Sequence, residues 1–171
     1  MCEYLKSLGF QILDCDAYVK KIYSSSHEIL FEIQKNFGQD IVENGVLNRK
    51  LLAERAFKGE KNTRLLNSIV HPAVISLCEK DARHPCVLDA PLLFEAKANE
   101  KCFKTIAVTA NEDVRLKRIM KRDSISDGEA RLRMSAQKDE AFYTENADFT
   151  IINNGSENIA EQINNILQQI I

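Results

Sequence analysis

The chain has 171 residues, of which 44% are hydrophobic and 28% charged, with a formal net charge of −2. That length holds one well-buried domain and is short for two. The balanced charge gives no electrostatic case for a nucleic-acid or anionic-membrane partner, and no apolar run approaches the ~20 residues that span a bilayer.

The opening Met1-Cys2-Glu3-Tyr4 lacks the basic and apolar regions of a secretory signal. Five cysteines (Cys2, Cys15, Cys78, Cys86, Cys102) are scattered, with no Cys-x-x-Cys pair and no metal-ligand spacing to a histidine. Buried thiols in a reducing cytoplasm are the expectation.

In chain order, Tyr4, Leu5 and Leu8 sit at helical spacing, and Gly9 is a plausible helix stop. Residues 10–13 read as a short strand with Asp14-Cys15-Asp16 at its end. From residue 17 to about 77 the pattern is helical. Ser24-Ser25-Ser26 offer one helix cap, Asn44-Gly45 marks a turn, and Asn48 offers a second cap. Pro72 predicts a kink or break at His71. Residues 87–90 form a short apolar run without alternation, which suits a strand buried on both faces of a parallel sheet. A second strand is expected at 105–110, a helix from about 112 to 122, and another from 127 to about 140. A strand at 149–152 precedes the turn Asn153-Asn154-Gly155, and Ser156 is expected to cap an amphipathic final helix. Strands separated by helical stretches define an α/β protein with a parallel sheet.

Asp89 stands at the carboxyl end of the 87–90 strand, where open α/β sheets place ligand chemistry. Asp14 and Asp16 stand at another strand end, on one side of the pleat. Carboxylates there can accept a proton from a substrate hydroxyl or orient hydrated Mg²⁺; the alternative is a helix N-cap. Arg115, Arg118 and Arg122 line one helix face at i, i+3, i+7. Their guanidinium forks match phosphate oxygens; the alternative is a solvated face with acidic neighbours. His71 is a ligand, a base or a hydrogen-bonded structural residue.

Together and in this order, these segments resemble dephospho-CoA kinase. The matching stretches are Ile12-Leu13-Asp14-Cys15-Asp16, Leu47-Asn48-Arg49-Lys50-Leu51-Leu52, Val70-His71-Pro72 and Asp89-Ala90-Pro91-Leu92-Leu93-Phe94-Glu95. They continue with Arg118-Ile119-Met120-Lys121-Arg122-Asp123, Ala130-Arg131 with Gln137, and Ala147-Asp148-Phe149-Thr150-Ile151-Ile152-Asn153-Asn154-Gly155. The resemblance implies a P-loop nucleotide-kinase-like sheet flanked by helices, and transfer of the ATP γ-phosphoryl to the 3′-hydroxyl of dephospho-CoA with Mg²⁺. It implies one kinase-like domain over 1–171: a core of 1–16, 86–112 and 147–171, a helical acceptor-binding insert of about 17–85, and a lid of about 113–146. Carried over residue by residue, Asp16 would be the base or hydroxyl-orienting group. Arg118 would stabilise the transferring phosphoryl, with Arg122 supporting it at the ATP. Asp14, Arg49, His71 and Glu95 would hold the acceptor, Asp89 would lie near the metal through water, and Asn154 near adenine.

One departure is large. The family's Gly-x-x-x-x-Gly-Lys-Ser/Thr loop and its central strand have no counterpart among the chain's six glycines. The expectation is that Met1 is an internal methionine or a mis-set start, and that the chain as it stands is inactive and poorly folded. Two other readings stay open: a different small nucleoside or nucleotide kinase, and a non-catalytic remnant that binds CoA-like molecules.

Overall fold

The computed structural model describes residues 1–170; Ile171 lies outside the described residues. The chain divides into two compact units, Cys2–Ala98 and Asn99–Ile171 together with Met1.

The first unit opens with helix α1 (Cys2–Ser7). The Gly9 N–H donates to Lys6 O and the Phe10 N–H to Leu5 O, with Gly9 at φ +91°. This pair of bonds is the Schellman closure, and its left-handed residue favours glycine. Strand β1 (Gln11–Asp14) and helix α2 (Cys15–Ser25) follow without a loop. Ser26 caps helix α3 (His27–Phe37), as its place before an apolar helical pattern predicts. Strands β2 (Val42–Glu43) and β3 (Val46–Leu47) form an antiparallel hairpin through Asn44 and Gly45, at φ 50° and 77°. Positive φ at both turn residues is the type I′ signature of Asn-Gly. Asn48 caps helix α4 (Arg49–Ala56), its side chain accepting from the Leu51 N–H.

Helix α5 (Glu60–Asp81) corrects the expectation at Pro72, because it runs unbroken through the proline. Its stripe of Leu66, Val70, Val74 and Cys78 is buried on both sides of that point. With every side chain in that row anchored in the core, packing outweighs the one backbone bond a proline removes. Leu13, Ile22, Ile33, Ile41 and Leu52 are among the residues that join that row in this core, each burial stabilising by roughly 1.5–3 kcal/mol.

Strand β4 (Cys86–Asp89) pairs in parallel with β1, matching Ile12 with Val87, Leu13 with Leu88 and Asp14 with Asp89. The expectation of a strand buried on both faces is not met: Cys86, Val87 and Leu88 are half-buried and Asp89 is exposed. Among the described residues β4 has a single ladder partner, β1.

In the second unit, β5 (Ile106–Thr109) pairs in parallel with β6 (Phe149–Ile152). The Asp148 carboxylate braces their start, accepting from Lys104 Nζ and from the Thr105 N–H and hydroxyl. Helix α6 (Glu112–Asp123) follows β5. The single helix expected from 127 to about 140 is two helices, α7 (Asp127–Ser135) and α8 (Glu140–Asn146). Ser126 and Glu129 form a capping box for the first, and Asp139 caps the second by accepting from the Phe142 N–H. The final helix, α9 (Ile159–Ile170), buries Ile163 and Ile166. Its cap is Asn158 rather than Ser156, since Asn158 Oδ1 accepts from the Glu161 N–H. Gln162 also bonds the Ile152 N–H and C=O, which fixes α9 against β6.

No helix among the described residues is long and apolar enough to cross a membrane.

Candidate active site

The first unit carries the carboxylates. Parallel register sets Asp14 and Asp89 side by side at the carboxyl ends of β1 and β4. Asp14 Oδ1 accepts from the Ala17 N–H at 3.0 Å, so Asp14 is the N-cap of α2. Asp89 Oδ2 accepts from the Cys2 thiol at 3.3 Å. Asp16 corrects the pleat argument: β1 ends at Asp14, and Asp16 lies in the first turn of α2. The Asp14 cap switches the backbone from extended to helical two residues early. A negative charge in that turn suits the helix dipole.

Arg49 is the first residue of α4, exposed, with its guanidinium 5.8 Å from the Tyr23 ring centroid. His71 is half-buried in α5; burial pushes its imidazole below the usual range while the Glu95 carboxylate pulls it upward. Cys15 offers no nucleophile. Burial and the neighbouring Cys78 push its thiol up to about 12, so the thiolate is scarce near neutral pH.

The second unit carries the arginines. Arg118 Nη1 donates to the Asn153 carbonyl at 2.7 Å, and Nη2 reaches Asn153 Oδ1 at 3.4 Å. Asn154 Oδ1 accepts from the Asn111 N–H, at the start of α6. Arg122 pairs with Asp123 through two bonds of 2.7 and 3.0 Å, and Arg133 pairs with the same carboxylate. Carboxylates of the chain itself therefore relieve part of the basic stripe. Arg115 differs: its Nε is buried without a hydrogen-bond partner, and its Nη2 lies 3.9 Å from Glu140. Glu112, Arg115, Arg131, Met134, Gln137 and Lys138 line a cleft of about 400 Å³. It brings together Arg131 and Gln137, both parts of the motif set. The grip of Asn153 on Arg118 was not readable from the sequence, because the two lie 35 positions apart and no local pattern links them.

A metal is tested by the donors present. Asp14, Asp16 and Asp89 supply hard oxygen, yet among the described residues no group of three or more His, Cys, Asp or Glu could hold an ion. Carboxylates at adjacent strand ends are the kind of donor Mg²⁺ takes alongside several waters.

One parallel strand pair with carboxylates at its carboxyl end, and arginines gathered on α6, are groups suited to phosphoryl chemistry in an α/β protein. Comparison with known proteins narrows this. The crystal structure of TT1252 from Thermus thermophilus superposes with a TM-score of 0.82 at 28% identity, covering 99% of this chain and 90% of that one. Dephospho-CoA kinase from Campylobacter jejuni gives 0.64 at 27% identity, covering 99% and 89%. Dephospho-CoA kinase of Geobacillus kaustophilus is 34% identical over 174 residues, covering 96% of this chain and 87% of its own length. The family model for dephospho-CoA kinase matches residues 1–159. The chain belongs to the dephospho-CoA kinase family.

Proposed function

We propose that the protein transfers the γ-phosphoryl of ATP to the ribose 3′-hydroxyl of dephospho-CoA, giving CoA and ADP. The observation that carries the reading is the pairing of Asp14 with Asp89 at adjacent strand ends, with Asp16 two residues further on, in a chain of this family. The bond from the γ-phosphorus to the β–γ bridging oxygen breaks, and a bond from that phosphorus to the ribose oxygen forms. Asp16 orients the hydroxyl and accepts its proton. Arg118 stabilises charge on the phosphoryl group and Arg122 supports it at the ATP. Asp14, Arg49, His71 and Glu95 hold the acceptor, and Asn154 lies beside adenine. Asp89 would hold Mg²⁺ through water, and the ion would supply neutralisation of phosphate charge. Residues 17–85 serve as the acceptor-binding insert and 113–146 as the lid, around a core of 1–16, 86–112 and 147–171. The scattered cysteines support a reducing cytoplasm as the setting.

The test is ATP-dependent turnover by the protein purified from its own cells, offered dephospho-CoA and, separately, adenosine and AMP. Turnover of dephospho-CoA alone is expected. Phosphorylation of a simple nucleoside or nucleotide in its place would overturn the assignment. A second reading, a binder of CoA-like molecules without catalysis, draws on one observation: these 171 residues contain no Gly-x-x-x-x-Gly-Lys-Ser/Thr. Saturable dephospho-CoA binding with no ATP binding would favour it.

A further inference from the structure

Glu157 lies between the Asn153–Gly155 loop and α9, and its half-buried carboxylate points back into that loop. Oε2 accepts from the backbone N–H groups of Asn154 at 2.6 Å and Gly155 at 3.0 Å. Oε1 accepts from Asn154 Nδ2 at 3.0 Å and from the Ser156 hydroxyl at 3.3 Å. Two successive backbone N–H groups converging on one anionic oxygen form a nest, with Gly155 at φ +109° supplying the bend. Such charge-assisted bonds are roughly twice as strong as neutral ones.

A helix cap is the ordinary role for a carboxylate in this position, but Asn158 already performs it by accepting from the Glu161 N–H. The Glu157 bonds run the other way, into the loop. What the loop does is hold Arg118. The Asn153 N–H is tied to Thr109 O at 2.8 Å, and Asn154 Oδ1 is tied to the Asn111 N–H at 2.7 Å. Between those anchors, the Asn153 carbonyl and side chain take both terminal nitrogens of Arg118.

The geometry points to Glu157 as a positioning residue for Arg118: its carboxylate fixes the 153–155 loop in the shape that presents Asn153 to the guanidinium. The inference rests on the reading of Arg118 as the group that stabilises the transferring phosphoryl. Glu157 touches no reacting atom. It removes freedom from a long side chain whose placement governs rate, since a misplacement of about 1 Å at such a group can cost ~100-fold.

The test compares Glu157→Ala and Glu157→Gln with the unaltered protein by NMR of the Arg118 guanidinium, assigned with Arg118→Lys. Methyl signals of the buried Ile151 and Ile163 report whether the fold is kept. In Glu157→Ala the Arg118 signals are expected to lose their distinct shifts and to average. In Glu157→Gln, which keeps one oxygen for the nest, an intermediate state is expected. Unchanged Arg118 signals in a folded Glu157→Ala protein would overturn the inference. So would unfolding of both variants, which would make Glu157 a general structural residue. In turnover by the protein from its own cells, kcat is expected to fall about 10- to 100-fold in Glu157→Ala, with KM for dephospho-CoA unchanged. If Arg118→Lys leaves kcat unaltered, the reading of Arg118 fails. If Arg118→Lys lowers kcat and Glu157→Ala does not, the positioning role alone fails.

Discussion

A carboxylate in the first turn of a helix is fixed by backbone geometry while its oxygens stay open to a ligand, and Asp16 occupies such a position beside the Asp14 cap. Removing its basicity without its shape isolates its role. Asp16→Asn is expected to lower kcat by about 10²–10⁴, with dephospho-CoA affinity held within a few-fold, in steady-state and binding measurements. An equal loss of affinity would make Asp16 a binding group. Asp148 illustrates the opposite use of a carboxylate. Hydrogen bonds from Lys104 Nζ, then from the Thr105 N–H and hydroxyl, lower it to about 2. A carboxyl whose folded value lies below its unfolded value of about 3.9 contributes fully above that pH, and its contribution is lost as pH falls through about 2. Urea unfolding at pH 5, 4, 3 and 2.5 should show stability falling faster in the unaltered protein than in Asp148→Asn. Parallel curves would mean the brace has no net effect. Asp14 and Asp16 were legible as candidates from their spacing, and a helix N-cap was the alternative reading, but which of the two is the cap was not. That depended on where β1 gives way to α2, and the sequence leaves such a boundary loose by a residue or two.

Elements with strong local chemistry were the most legible. The Asn44-Gly45 turn, the Ser26 and Asn48 caps and the 149–152 strand all follow from residues within a few positions of one another. The split between α7 and α8 also had a local signal, because Asp139 stands three residues before Phe142, as an N-cap should. Pro72 was misleading for the reverse reason: the local rule gave way to tertiary packing of the α5 stripe. Because Pro72 is exposed and its helix is otherwise continuous, Pro72→Ala can restore a bond from residue 72 to the Ser68 carbonyl. A rise in stability of about 1–3 kcal/mol is expected, read as a higher urea midpoint. A lower midpoint would show that the proline shapes the backbone around His71.

Across the whole molecule, the residues assigned to the acceptor (Asp14, Arg49, His71, Glu95) fall in Cys2–Ala98, and those assigned to ATP (Arg122, Asn154) fall in Asn99–Ile171. That partition makes binding defects separable. Arg49→Ala should weaken dephospho-CoA binding by about 10-fold, in line with the loss of a charged hydrogen-bonding partner, and leave ATP affinity unchanged by calorimetry. Equal weakening of both ligands would dissolve the assignment. The ordered motif set made the family legible from sequence alone, and the long-range contacts that hold Arg118 did not. The pairing of β1 with β4 carries a consequence for sequence change. Asp14 and Asp89 are neighbours because of backbone ladders, whatever side chains precede them. Substitutions within Gln11–Leu13 or Cys86–Leu88 that keep their polarity should leave the carboxylates matched. One inserted residue in either strand would turn one carboxylate to the opposite face and bury the wrong neighbours. These strands therefore tolerate conservative replacement and resist any change in length.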